Sequence, residues 1–175
     1  MNIVAFAASS STKSINKKLI TYATSLLDSV SVEILDLNNY ELPLFSQDRE
    51  EELGQPQLAK DFLAKLNKAD ALIISFAEHN GSYSAAYKNL FDWCSRIQQK
   101  VYQDKPIVLL ATSPGKGGAS NVLAQATNSM PFFGAEVKGA FSLPSFYDNF
   151  DVENNKITDA ELDRQLREEI VKILS

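Results

Sequence analysis

The sequence predicts an α/β fold: five parallel strands in the order 2-1-3-4-5, covered by helices on both faces as a three-layer sandwich. Three observations predict it. Short apolar runs alternate with amphipathic stretches along the chain. The clearest runs are apolar at successive positions, as strands buried on both faces must be. The length, 175 residues, suits one such unit, so a single domain over 1–175 is expected.

The elements follow in order. Ile3 to Ala8 is a short apolar run and reads as the first strand. Ile15, Leu19, Tyr22, Ala23, Leu26, Leu27 and Val30 recur at helical spacing. Val32 to Leu37 is the second strand, and a long polar connection, 38–57, follows it. That connection holds a small apolar patch at Leu42-Pro43-Leu44-Phe45. Leu58, Phe62, Leu63 and Leu66 mark a second helix, and Ala71 to Phe76 is the clearest central strand. Ala86, Leu90, Trp93, Cys94 and Ile97 share one face of a helix over about 84–98. Pro106 to Ala111 is the fourth strand, begun by a proline where one is tolerated. Val122, Leu123, Ala126 and Met130 give a fourth helix, and Ala135 to Leu143 a last strand interrupted by Gly139. Thr158-Asp159-Ala160-Glu161 reads as a capping box for a closing helix carrying Leu162, Leu166, Ile170 and Ile173. Five strands alternating with five helices give a doubly wound, flavodoxin-like sheet. Its ligands bind beyond the carboxyl ends of the strands.

Composition narrows the chemistry. One cysteine and one histidine exclude a disulfide framework and a Cys/His zinc site. Any triad chemistry would have to run through His79. A net charge of −5 and pI near 4.9 argue against nucleic-acid binding. The longest apolar stretch, Ala69 to Ala77, is far below the ~20 residues that span a membrane. The first residues lack the basic region of a signal peptide, so a cytoplasmic protein is expected.

Three loops lie at the predicted ligand edge. Ser9-Ser10-Ser11-Thr12-Lys13-Ser14 joins the first strand to its helix. Hydroxyls and free amides at a helix N-terminus cradle an anion, and phosphate is the obvious guest. Ser14 alone would be an ordinary N-cap. The loop has neither a dinucleotide-turn nor a P-loop glycine pattern. Glu78-His79-Asn80-Gly81-Ser82 offers a ring, an amide and a glycine, a set that suits a flat heterocycle. The plainer reading is an Asn-Gly turn. Thr112-Ser113-Pro114-Gly115-Lys116-Gly117-Gly118 holds three of the chain's seven glycines. It allows backbone to approach a ligand edge, or is simply a turn.

Glu78-His79-Asn80-Gly81-Ser82, then Lys88-Asn89, then Asp92-Trp93, resembles the NADPH-dependent FMN reductase family. Ser9, Ser14 and Asn16 match its first phosphate turn, and the resemblance runs over roughly residues 2–143. It implies a non-covalent FMN held at the three loops, with NADPH or NADH as co-substrate. Carried over, Ser9, Ser11, Ser14 and Asn16 would face the phosphate. Glu78, His79, Asn80 and Gly81 would line the ring, and Ser113 and Gly115 would meet its far edge. Ala77, Ser11 and His79 stand where the family has proline, arginine and tyrosine, and Lys13 could replace the arginine as a point charge.

The resemblance also implies a homodimer or homotetramer, with 38–57 and the Asp92-Trp93 helix as candidate contact surfaces, although Phe91 and Trp93 read equally as core. The expected function is hydride transfer from NAD(P)H to FMN and on to a small-molecule acceptor: a flavin, quinone, azo compound or similar. No side chain is assigned as a catalytic acid or base. The alternative is a flavodoxin-like electron carrier without NAD(P)H turnover. A receiver-type signalling domain would need acids at the end of the first strand, which reads Phe6-Ala7-Ala8-Ser9. Lys116 and Arg96 are candidates for the 2′-phosphate of NADPH. Cys94 reads as an inert buried thiol.

Overall fold

A computed structural model describes residues 1–175. In chain order the strands are β1 (Asn2–Ala8), β2 (Ser31–Leu35), β3 (Ala71–Phe76), β4 (Glu78–His79), β5 (Ser82–Tyr83), β6 (Lys105–Thr112), β7 (Ala135–Leu143), β8 (Phe150–Asp151) and β9 (Lys156–Ile157). The helices are α1 (Ile15–Ser25), α2 (Gln47–Leu53), α3 (Gln57–Lys68), α4 (Ala85–Ile97), α5 (Ser120–Ser129), α6 (Phe146–Asn149) and α7 (Ala160–Ile170). Five strands form one parallel sheet in the order β2-β1-β3-β6-β7, which is the expected 2-1-3-4-5 arrangement. β4–β5 and β8–β9 are small antiparallel hairpins outside it.

Alternation along each strand feeds two cores. Val4, Phe6, Leu72, Ile74, Ile107 and Leu109 pack on one face with α3, α4 and α5. Ile3, Ala5, Ala71, Ile73, Val108 and Leu110 pack on the other with α1 and α7. β7 changes parity midway. Val137 packs on the first core, but Phe141 and Leu143 belong to the second. The pairing skips Lys138, from Ile107↔Val137 to Val108↔Gly139, and one extra residue swaps the faces. This bulge is why the strand looks interrupted at Gly139. A Cβ there would sit 2.6 Å from the Glu169 carboxylate and 3.0 Å from its carbonyl, so the glycine lets α7 approach.

Two expectations need correction. The connection 38–57 is not all loop, because α2 forms within it from Ser46, whose hydroxyl accepts from Arg49 N, to Gly54 at φ +68. Helix α2 buries no residue, so it shows no apolar period. The cap of α7 is Asp159, accepting from Glu161 N and Leu162 N, and no Thr158 capping box forms. The apolar patch at 42–45 docks on α4. Trp93 Nε1 donates to the Pro43 carbonyl at 2.7 Å, and Asn89 Oδ1 accepts from Phe45 N at 2.8 Å.

Cys94 lies in the core under α3, and burial pushes its thiol up to about 12. Its folded value is above the unfolded one. Stability from the neutral thiol is therefore full below about pH 8.5 and is lost as pH rises towards the folded value. A disulfide reagent near pH 8 is expected to modify Cys94 only after unfolding in denaturant. Rapid labelling of the native protein would contradict this burial. No helix is long and apolar enough to cross a membrane.

Candidate functional site

The ends of β1, β3 and β6 meet at one edge of the sheet, and buried side chains tie their loops together. Asn16, in the first turn of α1, is 2% exposed. Its Oδ1 accepts from Ser75 Oγ at 2.8 Å and from Thr112 N at 3.1 Å, and its Nδ2 donates to the Thr112 carbonyl at 3.2 Å. One amide thus joins α1, β3 and β6. Ser84 caps α4, accepting from Tyr87 N, while its hydroxyl donates to the Ala8 carbonyl at 2.8 Å.

The first loop is shaped by its own hydroxyls. Ser9 Oγ accepts from Ser11 N, Ser11 Oγ from Lys13 N, and Ser14 Oγ from Lys17 N. Each hydroxyl is used as an acceptor, which leaves its O–H to donate. Helix α1 begins without an acid in its first turn. Ser14 satisfies the amides of Lys17 and Lys18, so those of Ile15 and Asn16 stay uncapped at the positive end of the helix dipole. Lys17 pairs with Asp36 at 2.7 Å, and its ammonium holds the Asp36 carboxyl below its ordinary value.

In the second loop, Asn80 (φ +51) and Gly81 (φ +78) form the two-residue turn of the β4–β5 hairpin. Both central residues have positive φ, as a type I′ turn requires. Glu78 points away from that turn to α5. Its Oε2 accepts from Val122 N at 2.9 Å and its Oε1 from Asn121 Nδ2 at 3.3 Å. The N-cap position of α5 is Ala119, which has no side-chain acceptor, so Glu78 supplies the cap from the neighbouring loop.

The third loop is anchored to the segment after β7. Gly115 O accepts from Ser145 N, Ser113 O from Phe146 N, and Gly118 O from Ser142 Oγ. Gly118 has φ +58, and a Cβ there would lie 2.4 Å from Ser142 Oγ. Gly115 and Gly117 have nothing within 4 Å of a built Cβ, so packing does not require glycine there and the backbone stays open.

These loops enclose a cleft of about 240 Å³. Of the sequence-based site residues, Ser9, Ser11, Ser14, Asn16, Glu78, His79 and Ser113 line it. Asn80 and Gly81 at the hairpin tip and Gly115 do not line it. Lys13 does, as its chain position allowed. Tyr147 also lines the cleft and was missed. The one signal for it was an aromatic residue in the connection after the last strand. Asn16 reaches the cleft but spends its side chain on the fold. Arg96 is held by both Glu50 oxygens, at 3.1 and 2.8 Å, and Lys116 stands outside the cleft.

A parallel sheet of this order, with an anion-ready helix start and two further loops at the same edge, defines a ligand-binding protein of the flavodoxin-like fold. Comparison with known proteins makes the class specific. Residues 1–148 match the model of the NADPH-dependent FMN reductase family, and the chain belongs to that family. It is therefore an oxidoreductase that uses FMN with NAD(P)H as electron donor.

An uncharacterized protein of Mycoplasma pneumoniae is 30% identical over 148 residues, 82% of this chain and 87% of that one. The 2-hydroxy-1,4-benzoquinone reductase of a Burkholderia species is 36% identical over 109 residues, 61% of this chain and 57% of its own length. Among solved structures, the flavoenzyme NAD(P)H:(acceptor) oxidoreductase of Paracoccus denitrificans superposes with TM-score 0.78 at 22% identity, covering 99% of this chain and 94% of that one.

Proposed function

We propose that the protein passes hydride equivalents from NAD(P)H through FMN, held in the 240 Å³ cleft, to a small planar acceptor of the quinone or flavin type. The observation that carries this reading is the start of α1, where Ile15 and Asn16 with uncapped amides line one cleft with three serine hydroxyls and Lys13. That donor set fits a phosphate dianion. Thr112, Ser113 and Pro114 of the third loop line the same cleft, where a flat ring would lie along them. Bound there, FMN would accept hydride from NAD(P)H and release the electrons to the acceptor.

The chain's own work is to bind and orient. Ser9, Ser11 and Ser14 donate to the phosphate oxygens, with the amides of Ile15 and Asn16 and the Lys13 ammonium. Glu78 fixes the second loop against α5, which sets where His79 stands at the rim. Asn16 keeps the first and third loops in register. His79 and Tyr147 border the open side, where nicotinamide and acceptor would enter in turn. The quinone class draws support from the Burkholderia relative's activity. The reading places the protein in the cytoplasm, where NAD(P)H is available, as a homodimer or homotetramer. Exposed Leu44, Leu53 and Leu58 around α2 supply an apolar contact surface for that assembly.

Ile15→Pro tests the phosphate cradle. Proline is tolerated at the first helical position, and Ser14, at ψ 122, already suits a residue before proline. The substitution removes one free amide. Relative to Ile15→Ala, it is expected to weaken FMN about tenfold in a fluorescence titration, with the melting temperature matched. Equal FMN affinity in the two variants would remove this amide from the cradle.

A further inference from the structure

Past Tyr147 the cleft opens into a second groove of about 550 Å³ that the proposed reaction leaves without a role. The two share Lys13, Ser14, Ile15 and Tyr147, so a bound molecule could run from one into the other. One wall is the end of the first loop and the outer side of α1, which together present Lys13, Lys17 and Lys18. Lys17 is answered by Asp36, but no ion pair engages Lys13 or Lys18. The other wall is the segment after β7. It presents Tyr147, 67% exposed, and Val152, 41% exposed.

The acids of that segment do not line the groove, and Asp151 is turned into its own loop, accepting from Glu153 N, Asn154 N and Asn154 Nδ2. With Lys13 assigned to the FMN phosphate, Lys18 is the cation left free in a groove that also presents an exposed aromatic ring and holds a nucleoside-sized ligand. The ring offers a stacking face, and Lys18 offers charge to a phosphate.

We propose that this groove takes the phosphorylated adenosine end of a nucleotide whose other end lies in the flavin cleft. The proposal rests on the FMN reading. Two sources share the chemistry: the 2′-phosphoadenosine of NADPH, and the adenylate half of FAD bound in place of FMN. Lys18 lines the groove but not the cleft, so it separates the groove from the FMN site.

The test titrates FMN-loaded protein with 2′,5′-ADP and with inorganic phosphate, in the wild type and in Lys18→Ala and Tyr147→Ala. Binding of 2′,5′-ADP is expected to weaken about tenfold in Lys18→Ala, while FMN affinity holds. Tyr147→Ala is expected to weaken 2′,5′-ADP but not phosphate. If NADPH is the source, its kcat/KM falls about tenfold in Lys18→Ala and that for NADH does not. If FAD is the source, FAD affinity falls while FMN affinity and the NADPH/NADH ratio stay fixed. Lys18→Ala leaving 2′,5′-ADP, NADPH and FAD all unmoved overturns the proposal, and phosphate binding as tightly as 2′,5′-ADP overturns the adenosine assignment. Failure of the FMN reading is seen separately, as protein that takes up no flavin, and Lys18→Ala on 2′,5′-ADP still reads the groove.

Discussion

Asn16→Leu is expected to cost about 3 kcal/mol or more of folding stability, read as a lower urea midpoint at unchanged slope. The leucine fills a similar volume but makes none of the three hydrogen bonds. It leaves the Ser75 hydroxyl, the Thr112 amide and the Thr112 carbonyl buried without Asn16, although the Thr112 hydroxyl still donates to the Leu143 carbonyl. An unsatisfied buried group costs about 1–3 kcal/mol, and three of them share the loss here. Ser14→Ala, which removes one N-cap hydrogen bond, is expected to cost only about 1 kcal/mol. The same Asn16→Leu change should lower FMN affinity, because it releases the first loop from the third. A midpoint within the range of the Ser14→Ala variant would mean that Asn16 does not hold the site's frame.

Gly118→Val is expected to be the next most damaging change, at about 3 kcal/mol. A β-branched residue is strained at φ +58. Its Cβ would also meet Ser142 Oγ at 2.4 Å and the backbone at Pro144 N at 3.0 Å. The Ser142 hydroxyl can move, but the backbone at Pro144 cannot move without shifting the segment that carries Tyr147. Gly115→Ala is the control. Nothing lies within 4 Å of its Cβ, so stability should hold. Thermal melts of the two variants check this, and a Gly118→Val protein as stable as Gly115→Ala would contradict the packing argument.

Much of the fold was legible because burial left it no alternative. Ala71 to Phe76 is buried at every position, and a run this short with two isoleucines suits a strand covered on both faces better than a helix. The loops at the sheet edge were legible from strand order alone. What the sequence hid is long-range. Glu78 lines the cleft, but nothing local shows that it also caps α5, whose N-cap position is an alanine, through Val122, 44 residues on. The framework role of the Asn16 side chain was hidden because its partners Ser75 and Thr112 lie 59 and 96 residues away. The Lys88-Asn89 and Asp92-Trp93 pairs drew attention as a family signature. In the structure Asn89 and Trp93 clasp residues 42–45, and Lys88 pairs with Asp92 along the helix. Helix α2 stayed hidden because Gln47-Asp48-Arg49-Glu50-Glu51-Glu52-Leu53 is polar on every side.

The central claim is direct reduction of a bound flavin by a nicotinamide nucleotide. Purified protein loaded with FMN and kept free of oxygen should lose its yellow colour when one equivalent of NADPH or NADH is added, with no partner protein. The colour should return when a quinone is supplied. Protein that takes up no FMN would contradict the site. FMN-loaded protein that stays yellow with both nucleotides, yet bleaches with a chemical reductant, would contradict the reductase reading and leave an electron carrier.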